Sequence, residues 1–357
     1  MKENIRKSNF ELLRIICMIM IVILHTLGHG GALNNTQVWS TNFFIAHFLE
    51  SLSIVAVNCY ILISGFFGIN SKFKINKVLD LYIQILFYSI IISSLFWITG
   101  IESISIGSIL QAILPITMQT WWFMSIYIVL YMMTPYINKL LKLLSFKEFN
   151  SLLIILLFIF VIWPSLPKFR PIDIQGGYSL YSFILLYIVG AYISKFYKDK
   201  TFNKFILLAM YLLSTMALAI FNVSISRIIG RNWGWYSYNF LLIFISSIAL
   251  FLFFKEIKIK SNFINKLSSL TLGVYLIHDH GYIRKYIYNA LRYHNYFNTN
   301  MFILYTSIVI GTIYISSSML EYLRQVLFNY LPKSKYKFIY GVKDKINYRI
   351  EKINKVS

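Results

Sequence analysis

Apolar runs alternate with short charged or turn-forming segments along nearly the whole chain. Ten such runs can be drawn, at about 11 to 30, 43 to 69, 78 to 99, 120 to 137, 149 to 165, 178 to 194, 205 to 223, 236 to 254, 267 to 283 and 301 to 322. A helix needs about 20 mostly apolar residues to cross a hydrocarbon layer of about 30 Å. The pattern therefore predicts an all-α integral membrane protein, a bundle of about ten transmembrane helices.

Composition agrees. Of 357 residues, 58% are apolar and 13% charged, about half the charged fraction of a soluble domain, and the mean hydropathy is +0.64. The length is used up by one polytopic domain, residues 1-330, followed by a basic tail, 331-357. The formal charge of +21 would suggest nucleic acid if it lay on one folded face. Instead, 26 of the 34 Lys and Arg fall in alternate loops and the two ends. Basic residues mark the cytoplasmic side, so this distribution predicts an even number of spans with both termini in the cytoplasm and no nucleic-acid partner. The tail from Lys333 to Lys355 alternates basic and apolar residues, fit either to lie along anionic lipid or to stand in water.

Lys2, Arg6 and Lys7 precede the first run, but no small-residue cleavage site follows it, so it reads as a retained helix. Cys17 and Cys59, the two cysteines, fall inside predicted spans as small apolar side chains, with no disulfide framework. Trp121, Trp122, Trp163, Trp233 and Trp235 are expected at outer ends, where indoles favour the interface.

Ionisable groups inside spans cost at least a few kcal/mol, so each calls for a reason. Arg14 and His25 are 11 residues apart, which on a helix places them within about 20° of one face and about 16 Å apart in depth. Glu11 is one turn before Arg14 and can pair with it. Taken alone, Arg14 can also snorkel to the inner interface, and His25 can be a histidine satisfied by a neighbouring helix. His47 and Glu50 are spaced to form an interfacial pair. Tyr275 and His278 end the ninth run. His278 and His280 point about 160° apart on a helix and cannot share one ion, so no metal is expected.

Four segments, in order, resemble the acyltransferase-3 family of integral membrane O-acyltransferases. Arg14 to His25 is similar to that family's arginine, ten residues, histidine signature. Asn58 to Ile69 contains a Ser-Gly-Phe motif, here Ser64, Gly65 and Phe66. Trp121 to Ile137 resembles its Trp-Phe helix closing in Thr-Pro, and Leu270 to His278 its Gly-x-Tyr-Leu-x-His ending. The loop after the second span, often rich in arginine in the family, here has Lys72, Lys74 and Lys77. Lysine attracts phosphate as a point charge but lacks the bidentate fork.

The resemblance implies transfer of an acyl group, most often acetyl from acetyl-CoA, to a hydroxyl of a cell-surface or lipid-linked glycan, by a multi-pass protein of the plasma membrane. On that view Lys72, Lys74 and Lys77 attract the coenzyme's phosphates and Arg14 steadies the donor. His25, whose ordinary pKa of about 6.5 suits proton transfer at neutral pH, takes the acceptor's proton. Tyr275, Ser64, Trp122 and His278 are candidate donors to the tetrahedral oxygen. Direct transfer and an acyl-histidine relay both fit. The rival reading is a glycan or lipid-linked oligosaccharide transporter, and a scaffold ranks below it. No packing motif in the apolar runs is specific enough to set an oligomeric state.

Overall fold

Polar caps divide the apolar runs into helices. The Ser40 hydroxyl accepts from the Phe43 amide, Ser145 and Glu148 cap each other's backbone reciprocally, and Asn203 accepts from Phe205 and Ile206. Each supplies an acceptor to amides that lack an intrahelical partner. A computed structural model describes residues 7–166 and 175–330. The basic tail 331-357, Lys2, Arg6, Lys168 and Arg170 lie outside the described residues.

The helices in chain order are α1 (Ser8–Gly28), α2 (Ala32–Asn35), α3 (Thr41–Ser53), α4 (Ala56–Gly68), α5 (Ile75–Ile98), α6 (Ile106–Ile113), α7 (Trp122–Leu143), α8 (Phe146–Leu157), α9 (Leu180–Phe196), α10 (Lys204–Ile229), α11 (Leu241–Glu256), α12 (Asn262–Ser268), α13 (Thr271–His278), α14 (Gly281–Ala290) and α15 (Phe302–Tyr330). There is no strand among the described residues. Among the described residues, six segments are long and apolar enough to cross a membrane: Ser8–Gly28, Thr41–Gly68, Ile75–Ile98, Phe146–Ser165, Lys204–Ile229 and Phe302–Asn329. The protein is a multi-pass membrane protein.

The ninth run departs from expectation. In place of one helix over 267 to 283 there are three short ones, α12, α13 and α14, broken at Ser269–Leu270 and again at Asp279–His280. At 1.5 Å per residue, the eight residues of α13 span about 12 Å. Broken backbone is tolerated at membrane depth where it is buried in protein or lines a cavity, and Leu270 and Asp279 are both buried.

α1 sits inside the bundle, packed against α3, α4, α11, α12, α13 and α15. By contrast, the helix from Phe146 turns most of its apolar surface outward, as a lipid-facing helix must. α4 and α9 pack closely, through glycines. A Cβ on Gly65 would lie 2.1 Å from the Tyr187 carbonyl oxygen, and one on Gly190 would lie 2.3 Å from that of Leu62. Small residues permit this approach, which drives helix association in lipid. In α7, Pro135 offers no amide to the Tyr131 carbonyl, and that carbonyl accepts from Thr134 Oγ1 at 2.7 Å instead. Cys17 and Cys59 are buried free thiols.

Candidate active site

The face of α1 that carries Arg14 and His25 borders a cavity of about 580 Å³, and both residues line it. A second chamber of about 130 Å³ shares Arg14, Ser64 and Tyr127 with the first and is also lined by Lys72 and Lys77. The two chambers thus adjoin at Arg14, between the loop after α4 and His25. Lys74 does not line either chamber; its amide donates to the Tyr131 hydroxyl at 3.3 Å.

Arg14 is held from two sides. Its guanidinium donates to Glu11 Oε1 at 2.5 Å, and Glu11 Oε2 accepts from Ser268 Oγ at 2.5 Å, so α12 braces the pair. Tyr60 Oη donates to the Arg14 carbonyl at 2.7 Å. A partly buried charge with its hydrogen bonds satisfied is tolerable where an isolated one is not. Ser64 stands at this end, away from His25, with its hydroxyl directed at the Tyr60 carbonyl (2.9 Å) and Tyr127 Oη (3.3 Å). Its one proton is taken up locally by the helix, which removes it from the set of donors around His25.

At the other end the histidine tautomers can be derived. His278 Nδ1 lies 2.6 Å from the Val274 carbonyl, which only accepts, so Nδ1 carries the proton. In a neutral ring Nε2 then accepts, and its partner at 2.9 Å is His25 Nδ1. His25 therefore donates from Nδ1 and keeps its lone pair on Nε2. His278 is buried and does not border the cavity, so among the described residues it acts through His25. Asp279 Oδ1 is 3.5 Å from His25 Nδ1 and accepts from Arg284 at 3.2 Å. A carboxylate this close favours positive charge on the imidazole as it gains a proton.

Asp279 and Arg284 are neighbours of His25 that motif spacing does not single out; the signal in the sequence is the His-Asp-His run with an arginine five residues after its aspartate. His25, His29 and Asp279 offer ligand atoms within 4.8 Å of one another. Arg284 Nη1 already sits 3.2 Å from Asp279 and 3.4 Å from His29, and His25 Nδ1 is committed to His278. The chemistry is that of a hydrogen-bonded network with its own cation. His280 is turned elsewhere, accepting from the Tyr282 amide at 3.3 Å.

Tyr275 and Trp122 line the same cavity. The Tyr275 ring is 6.5 Å from that of His25, and its buried hydroxyl is near Asp279 without a hydrogen bond of standard geometry. Trp122 packs on Tyr178 and Tyr238, with ring centroids 4.5 and 6.1 Å away. Trp121 is fully buried and is not an interfacial anchor.

The expected His47–Glu50 pair does not form. His47 Nδ1 accepts from Tyr236 Oη at 2.7 Å and Nε2 donates to Asn232 at 3.1 Å. Both nitrogens are satisfied by the segment before α11, and Glu50 lines the cavity.

A family model described as an acyltransferase domain matches residues 7–321. No curated protein and no solved structure matches the chain.

Proposed function

The chain belongs to the acyltransferase-3 family, and from that premise we propose that it moves an acetyl group from acetyl-CoA, entering on the cytoplasmic side, to a hydroxyl of a cell-surface or lipid-linked glycan. The reading includes ten crossings of the plasma membrane with both termini cytoplasmic, supported by the bias of lysine and arginine toward alternate loops. The observation that carries it is the cavity that Arg14 and His25 share, with the lone pair of His25 Nε2 left available by the hydrogen bond at Nδ1.

Acetyl-CoA, when bound, supplies the acyl group as a thioester and departs as the thiol. Lys72 and Lys77 attract its phosphates by charge. Arg14, already braced by Glu11, offers directed donors to the polar groups of the donor as it passes between the chambers. His25 Nε2 takes the proton of the acceptor hydroxyl as its oxygen attacks the thioester carbonyl carbon. The carbon–sulfur bond then breaks, and the imidazolium returns the proton to the departing sulfur, so that ester and thiol leave and His25 is neutral again. Asp279 favours the transient imidazolium, and Tyr275 Oη, buried at the edge of the cavity without a partner among the described residues, serves as a side-chain donor to the tetrahedral oxygen.

His25→Ala is expected to lower transfer by about 10²-fold or more with membrane insertion intact. The assay is labelled ester formed by purified protein in lipid with labelled acetyl-CoA and candidate glycans. Undiminished ester from His25→Ala overturns the mechanism. The transporter reading is not favoured: the matched family is one of acyltransferases, and a conduit has no need of the His278-to-His25 relay.

A further inference from the structure

Four carboxylates are buried among the described residues: Glu11, Glu50, Asp279 and Glu321. Three are paired. Glu11 holds Arg14 and Ser268, Asp279 holds Arg284, and Glu321 accepts from Tyr88 at 2.5 Å and from Arg324 at 2.7 and 2.8 Å. Glu50 is the exception. The residue is 7% exposed, it lines the large cavity, and Oε2 has no hydrogen-bond partner among the described residues. An unpaired buried polar oxygen is costly and calls for a partner that arrives from outside.

The lining of the cavity around Glu50 points to the partner. Trp122, Tyr178 and Tyr238 line the same cavity. Tyr178 lies 4.5 Å from the Trp122 ring and 4.7 Å from that of Tyr238, tilted by 50° and 52° to them, so the three pack on one another as an aromatic wall. Tyr178 is 42% exposed, which leaves the wall open at one side. An aromatic surface beside a carboxylate that lacks a donor matches a pyranose ring, which has an apolar C–H face and hydroxyl donors along its edge.

Position relative to His25 fits as well. Tyr60, whose hydroxyl bonds the Arg14 carbonyl, is ten residues after Glu50, and His25 is 11 after Arg14. α3 and α4 form one 28-residue apolar segment, connected back from α1 by a short loop and so running against it. At 1.5 Å per residue the two offsets are about 15 and 16.5 Å, which brings Glu50 near the level of His25.

We propose that Glu50, with the wall of Trp122, Tyr178 and Tyr238, forms the acceptor subsite and holds a hexopyranose by its hydroxyls beside His25. The proposal rests on the acyl-transfer reading for its chemistry, but it can be tested by binding alone. Calorimetry on the full-length protein in lipid nanodiscs, without acyl donor, uses methyl hexopyranosides and the same sugars carried on polyprenyl diphosphate. Saturable sugar binding is expected, weakened about ten-fold or more by Glu50→Gln and also weakened by Tyr178→Ala, a substitution at an exposed ring. Binding of the polyprenyl forms alone, with the same dependence on Glu50, supports the subsite and identifies a lipid-linked source. No sugar binding by the unaltered protein, equal affinity in both variants, or binding of choline in place of sugar overturns the proposal. Glu50-dependent sugar binding without ester formation defeats the transfer reading and leaves the subsite standing. Ester formation with an unchanged acceptor KM in both variants does the reverse.

Discussion

His278 lies one hydrogen bond behind His25, and its effect on the proposed chemistry is to decide which nitrogen of His25 holds the proton. If Nδ1 lost its acceptor, the His25 ring would be free to adopt the other tautomer or to turn, and Nε2 would no longer be held as the base. His278→Phe is therefore expected to lower kcat by about 10²-fold while changing the acceptor KM little, with part of the loss restored by His278→Gln, whose amide oxygen can accept. Steady-state kinetics of the three proteins check this, and a parallel rise in KM without loss of kcat would assign His278 to packing. Arg14 and Glu50 differ from His278 in bordering the cavity themselves. Their substitution should alter affinity for donor and acceptor respectively.

At the scale of elements, the segments that resemble family motifs divide into chemistry and packing. Gly65, in the Ser-Gly-Phe segment, is where α4 meets the backbone of α9, and Gly273, in the Gly-x-Tyr-Leu-x-His segment, makes room for Glu321, whose carboxylate would lie 2.5 Å from a Cβ there. The Thr-Pro pair repairs its own helix, since Thr134 satisfies the carbonyl that Pro135 cannot. Gly65→Ala would drive a methyl against a carbonyl oxygen fixed in α9 and should destabilise by about 1–3 kcal/mol. Gly311 lies in α15 with open space around it, so Gly311→Ala should be neutral or stabilising by up to about 1 kcal/mol. Thermal unfolding in detergent checks both, and a Gly65→Ala protein as stable as the native one would mean that α4 and α9 can separate without cost. The break between α12, α13 and α14 has a purpose at this scale: it ends α13 at His278 and turns Asp279 toward His25.

Across the whole molecule, two chambers meet at Arg14, and the charge of the smaller one decides which end admits an anion. Lys72 and Lys77 line it, whereas the larger chamber is mostly apolar and aromatic until His25 and Asp279. Lys72→Glu with Lys77→Glu should raise the KM for acetyl-CoA about ten-fold while leaving kcat nearly unchanged, because attraction at the mouth acts before the reacting groups meet. Raising ionic strength should weaken the native donor KM in the same direction, since exposed charges are screened within about 10 Å at 0.1 M salt. An unchanged KM in the double variant would move donor entry to another face.

Membrane residence, the helical class and the shared face of Arg14 and His25 were legible in the sequence, because hydropathy and a 3.6-residue period are local properties of the chain. So was the pairing of Glu11 with Arg14, which are one turn apart. What required the folded chain were contacts between distant segments. His278 reaches His25 across 253 residues, Asp279 and Arg284 join them only because α13 ends where it does, and Glu50 is released into the cavity because Tyr236 and Asn232 satisfy His47 instead. Sequence spacing reports which residues share a helix face; it does not report which neighbouring helix that face meets, and the pairing of buried polar groups in lipid is decided by that meeting.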